Sequence, residues 1–249
     1  MRPDKFILPM NLIGAKMSSQ LLAWLLVPST ILVVVALFAL LWQERTSPRS
    51  AAVAMVTGVV IAAWGATTGV LAIRGFYLPP GPTSPPPIGI QLGIALLVLA
   101  ACLALSPTLR GLLSNQKNLI RVNVWRLLGV LFLILMLNRQ MPALWAIPAG
   151  LGDILIGATA FWVAARLDAP GGRSRAILFN LLGLADLVVA VGLGVTTSPG
   201  PAQFFHTTPT AELVTHFPLA LVPGFLVPLA VMLHVVSLWQ LFGRSWRSK

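Results

Sequence analysis

Two carboxylates and one guanidinium lie deep inside apolar sequence, where such groups are costly unless they serve a purpose. Asp153 and Asp186 each fall about ten residues into an apolar run, and Arg126 falls about seven residues into another. At about 1.5 Å per helical residue, both acids come near the midplane of a hydrocarbon layer ~30 Å thick. An ionisable group there costs at least ~2.5–3.5 kcal/mol on insertion scales unless it is paired or hydrated. The three should therefore face the interior of a bundle and find one another. The expected arrangement is an Arg126–Asp186 ion pair with Asn180 as its hydrogen-bonding neighbour. Asp153 is then the unpaired carboxyl, a group able to carry a proton. His234, in the inner half of the last run, and Asn123, one turn before Arg126, complete the polar set. The stretches Gly152-Asp153-Ile154-Leu155 and Ala185-Asp186-Leu187-Val188 also rhyme, a hint of an internal repeat of the kind transporters use. The plainer alternative is a polar cluster that fixes helix register and does nothing else.

Other chemistries find little support. His206, His216 and His234 are spaced by ten and eighteen residues, which matches no compact metal motif. A bis-histidine haem needs intramembrane histidines on two spans, and only His234 qualifies. The usual hydrolase and ATPase signatures are missing. Cys102 has no partner cysteine, so neither a disulfide within the chain nor a cysteine metal cluster is expected. The expectation is no metal, no cofactor and no enzymatic activity.

The elements that must position these groups follow from composition. Of 249 residues, 57% are hydrophobic and 9% charged, far below the ~25% charged of soluble domains. The apolar runs predict an all-α, polytopic transmembrane bundle with seven spans, at about 20–42, 51–73, 88–105, 119–137, 143–166, 175–197 and 217–242. Residues 1–249 form one transmembrane domain on this reading. The first run is too long for the apolar core of a secretory signal and is expected to be retained.

The net charge of +11 suggests nucleic acid only until its placement is considered. The basic residues cluster at span ends, as anchors to anionic headgroups. Arg45, Arg49, Arg110, Lys117, Arg121, Arg126, Arg166, Arg173, Arg175, Arg244, Arg247 and Lys249 fall on one side. Arg2, Lys5, Lys16, Arg74 and Arg139 fall on the other. That bias places the C-terminus in the cytoplasm and the N-terminus outside, with an interfacial helix over Phe6–Met17 accommodating the basic N-terminal arm. Trp42, Phe76, Tyr77, Trp145, Phe217, Trp239 and Trp246 are expected to form interfacial belts. The pairs Gly65/Gly69 and Gly89/Gly93 mark faces for helix–helix contact. Pro82, Pro85, Pro86 and Pro87 predict a stiff, extended outer loop. Pro218, Pro223 and Pro228 predict a kinked or unwound last span near Pro223-Gly224.

The runs Asn123-Val124-Trp125-Arg126-Leu127-Leu128-Gly129, Pro142 to Asp153, Asn180 to Asp186, Leu221 to Leu229 and His234 to Leu238 resemble a family of uncharacterised bacterial multi-pass membrane proteins. The resemblance covers about 119–242. It implies a bacterial inner-membrane protein and assigns no activity. The residues themselves favour translocation of a proton, ion or small solute between the fourth to seventh spans, through Asp153, Asp186, Arg126, Asn180 and His234. The alternative is a non-catalytic membrane subunit or anchor with partner subunits in the bilayer. An intramembrane enzyme acting on a lipid or quinone is a third reading.

Overall fold

The computed structural model describes residues 17–79, 81, 83–84 and 87–243, and these are helices and their connections. Among the described residues, seven helices are long and apolar enough to cross a membrane, so the chain is a multi-pass membrane protein. The spans are α1 (Ser19–Gln43), α2 (Pro48–Ile73) and α3 (Pro87–Leu105), then a composite fourth span, Gln116–Leu137. The short α4 (Pro107–Leu112) precedes that fourth span, which comprises α5 (Gln116–Arg121), a 3₁₀ stretch (Val122–Gly129) and α6 (Val130–Leu137). α7 (Ala143–Ala165), α8 (Gly172–Thr197) and a last span ending in α9 (Val227–Phe242) complete the bundle.

Local sequence sets the helix starts. Ser18 accepts from the Leu21 amide, and Ser47 with Ser50 forms a capping box ahead of Pro48 at the first helical position. Asn115 caps α5 by accepting from the Asn118 amide. These caps satisfy amides that the helix itself leaves unpaired.

The packing centres on α7, which lies against α8, α6 and the 3₁₀ stretch, while α8 packs on α9 and α1 on α2. The last span is the most buried of the seven and α3 the least. Small residues permit these contacts, since helices in lipid associate by close approach. Gly65 abuts the Phe225 ring, and Gly69 faces Leu221. Gly89 and Gly93 have nothing within 4 Å of where a side chain would begin. The second glycine pair therefore marks no helix contact among the described residues.

The aromatic belt also needs correction. Trp42, Phe76 and Trp239 are partly or well exposed, but Tyr77 and Trp145 are buried. Trp145 donates its indole N–H to the Ala190 carbonyl at 2.8 Å and meets Phe132 edge-on. Both are core residues with a satisfied polar tip. The interfacial helix expected over Phe6–Met17, apart from Met17 itself, falls outside the described residues. So do the extended loop at Pro82, Pro85 and Pro86, and Arg244, Trp246, Arg247 and Lys249.

The last span opens with one π-helical turn, Val222–Leu226, at the Pro223-Gly224 step. Pro223 has no N–H for the Leu219 carbonyl four residues before it, and Pro228 has none for the Gly224 carbonyl, so the ladder is broken on both sides of this turn. The Gly224 carbonyl accepts instead from Gln91 Nε2 at 3.0 Å, reached from α3. Gln91 Nε2 also donates to Thr68 Oγ1 at 2.8 Å, and Tyr77 donates its hydroxyl to Gln91 Oε1. Burial pushes the Tyr77 phenol above its usual range, which keeps it a donor. One glutamine thus ties α2 and α3 to the broken last span. Gln91→Leu is expected to lower the thermal stability of detergent-solubilised protein by about 1–3 kcal/mol, the cost of orphaned buried acceptors. An unchanged unfolding midpoint would show that the π turn needs no outside partner.

Candidate functional site

Arg126 sits on a 3₁₀ stretch of eight residues, when runs beyond three or four are uncommon. Three residues per turn align Asn123, Arg126 and Gly129 along one face, and all three are buried. An α-helix would rotate Gly129 well away from Asn123. The tighter coil is also slimmer, which suits the approach at Gly157, where an added methyl would lie 2.6 Å from the Leu127 amide. Asn123 donates to the Leu119 carbonyl at 3.0 Å, and its Oδ1 is buried with no hydrogen-bond partner among the described residues.

The Arg126 guanidinium is fully buried and forks between two acids. Its Nε donates to Asp153 Oδ1 at 2.6 Å, and its Nη2 to Asp186 Oδ2. The expected Arg126–Asp186 pair is present, but Asp153 is not the unpaired carboxyl. Helix depth set both acids within reach, and the guanidinium fork offers donors in two directions at once. Asp153 Oδ2 has no hydrogen-bond partner among the described residues.

Asn180 does not touch the ion pair, which is a second correction. The gap is filled by His234, whose Nε2 lies 3.0 Å from Arg126 Nη1 and whose Nδ1 lies 2.9 Å from Asn180 Oδ1. Arginine only donates, so Nε2 must accept; Nδ1 then carries the proton and donates to Asn180. This fixes His234 as a neutral imidazole in one tautomer. Asn180 Nδ2 donates onward to Ser237 Oγ at 2.7 Å, and Ser237 donates to Gln116 Oε1 at 2.7 Å. Gln116 Nε2 donates to Gln240 Oε1 at 3.0 Å. A continuous file of side chains therefore runs from the two acids to one end of the bundle.

Each end of that file meets a cavity. Gln116 and Gln240 line an open cavity of about 1140 Å³ whose walls include Arg110, Lys117 and Arg173. Asp153 lies in the wall of a narrower, mostly apolar cavity of about 100 Å³ at the opposite end, beside Ser198, Glu212 and Thr215. Sequence reasoning missed Ser237, Gln116 and Gln240 as partners. Their one sequence signal is an uncharged polar side chain in, or at the edge of, an apolar run. His206 and His216 lie in and beside the 198–216 segment, away from this file.

Glycines make the site possible. A side chain at Gly152 would collide with the Asp186 carboxylate, so this acid rests directly on the α7 backbone. A side chain at Gly183 would collide with the His234 ring. Gly152 precedes Asp153, and Gly183 falls midway between Asn180 and Asp186, so both are readable as spacers once the partner across the interface is known.

The fold thus gathers Arg126, Asp153, Asp186, His234 and Asn180 into one connected group. No curated protein and no solved structure matches the chain. Residues 85–242 match a family described as a domain of unknown function, DUF8737. The matched region begins at the third span, earlier than the resemblance read from residues 119–242, and takes in Gln91 with the whole of the polar file. It covers more than half of the sequence, and the chain belongs to the DUF8737 family of domains of unknown function.

Proposed function

We propose that the protein moves a proton or small cation across the membrane, with the Arg126, Asp153 and Asp186 group as the binding point. The observation that carries this reading is the charge inventory. Two carboxylates share one guanidinium, and His234 is held neutral by its partners, so the group is one positive charge short. An uncompensated charge in low dielectric is costly, and uptake of one proton or cation removes that cost. The polar file and the two cavities supply approaches from opposite ends. The bias of basic residues supports a cytoplasmic placement of the Arg110, Lys117 and Arg173 end, and the family resemblance supports a bacterial inner membrane.

In proteoliposomes on a solid-supported membrane, an imposed gradient is expected to drive current through the native chain. Asp153→Asn with Asp186→Asn should reduce it at least tenfold, since amides neither bind a proton nor balance a cation. Undiminished current from the double variant would refute the proposal.

A second reading, a subunit of a larger membrane complex, is favoured by α3. That helix buries only Ile88 within the chain, leaving a long apolar face for lipid or a partner.

A further inference from the structure

The chain carries seventeen Lys and Arg against six Asp and Glu, yet among the described residues the charged groups lining the narrow cavity at the loop end are both acids. Asp153 stands at its floor and Glu212 joins its wall, with no Lys, Arg or His among the lining residues. Asp186, paired to the same guanidinium and resting on Gly152, adds a third carboxylate next to Asp153. The Asp153 Oδ2 atom has no hydrogen-bond partner among the described residues and belongs to a side chain that borders this space. Apart from Ser198 and Thr215 the remaining walls are apolar and include three aromatic rings, Trp125, Phe132 and Trp145. Trp145 is held in place by its bond to the Ala190 carbonyl, and Phe132 is braced against it.

This lining discriminates among positive charges. A hard metal cation takes six or more oxygen ligands. Among the described residues, no three His, Cys, Asp or Glu side chains converge on one point, and beyond the two acids and the Ser198 and Thr215 hydroxyls the walls offer rings and aliphatic groups. Aromatic faces attract alkylated ammonium ions, whose charge is spread over a greasy surface. The volume of about 100 Å³ corresponds to about three water-sized groups at ~30 Å³ each, which suits a guest of a few heavy atoms.

We propose that this cavity binds a small alkylammonium ion, with its charge on Asp153 Oδ2 and its alkyl groups against Trp125, Phe132 and Trp145. The proposal rests on the reading of the ion cluster as a place that takes up positive charge, and it names the chemical class taken up.

Isothermal titration of the full chain in detergent, with trimethylammonium chloride as the probe, tests it. Saturable binding is expected, weakened at least tenfold by Asp153→Asn and about threefold or more by Trp125→Leu. Glu212→Gln, outside the ion cluster, should weaken binding up to threefold. Neutral tert-butanol, similar in shape, should not compete, and neither should sodium or potassium chloride. Absence of saturable binding to the native chain overturns the proposal. So does equal competition by tert-butanol, or native affinity in both Trp125→Leu and Glu212→Gln; these two variants keep the test sound if Asp153→Asn fails to fold. Currents abolished by Asp153→Asn with Asp186→Asn, in a protein that does not bind trimethylammonium, would remove the ligand class and leave the transport reading standing. Currents indifferent to that double variant would remove both.

Discussion

Arg126→Met is expected to be the most damaging single substitution in the chain, costing about 3–5 kcal/mol, the range for removing one partner of a buried ion pair. Methionine matches much of the arginine stem in bulk, so the loss is electrostatic rather than a cavity. The two carboxylates that shared the guanidinium are left without a cation, and His234 Nε2 loses its donor. The measurement is the fraction of full-length protein that elutes as a single species in mild detergent, together with its thermal midpoint. The expected outcome is near-complete loss of the folded species. Restoring neutrality distinguishes charge from shape: Arg126→Met combined with Asp153→Asn and Asp186→Asn should recover most of the folded fraction. Arg126→Lys should fall between, since a point-like ammonium cannot reach both acids and the imidazole together. A triple variant no better than Arg126→Met alone would mean that the cluster is held by packing and not by its charges.

Span positions were readable because they depend on one property, the length of uninterrupted apolar sequence. The run expected at 88–105 is the helix Pro87–Leu105, and that at 143–166 is Ala143–Ala165. The last span starts later than expected, because residues 217–220 turn before the π-helical step rather than entering the helix. The unwinding at Pro223-Gly224 was legible, since proline cannot supply the missing donor wherever it stands. That Gln91 would answer for the freed carbonyl was not, because nothing local links residues 91 and 224.

The candidate site divides along the same line. Insertion cost identified Arg126, Asp153 and Asp186 as interior groups, and depth brought them to one level. Depth says nothing about rotation, and rotation decides partners. The 3₁₀ coil reset the facing of Asn123, Arg126 and Gly129, and it turned a pair into a fork. Asn180, six residues before Asp186 on the same apolar run, is expected from sequence to neighbour the ion pair. Its side chain instead meets α9, where His234 and Ser237 lie three residues apart on one face. Long-range pairings of this kind depend on which small residues let which helices close in, and that is written in the interface rather than in either helix.

Gly152 gives the sharpest test of that dependence. Gly152→Ala adds one methyl, which an isolated helix would welcome by about 1 kcal/mol. Here the methyl would occupy the place of Asp186 Oδ1, so the carboxylate must leave Arg126 or α7 must move away from α8. Overpacking of this order costs about 1–3 kcal/mol, and displacement of a buried, paired acid adds to it. The expected result is a lower thermal midpoint together with loss of gradient-driven current. Gly192→Ala, on α8 with nothing within 4 Å of its new methyl, should be neutral or slightly stabilising. The mechanism is isolated by a double-mutant cycle. If the clash with Asp186 is the cause, Gly152→Ala should cost little in an Asp186→Ala background, giving a coupling energy of about 0.5–3 kcal/mol. Additive losses would place the damage in general helix packing, and the α7–α8 contact would then be a matter of fit alone, with no bearing on where the acid is held.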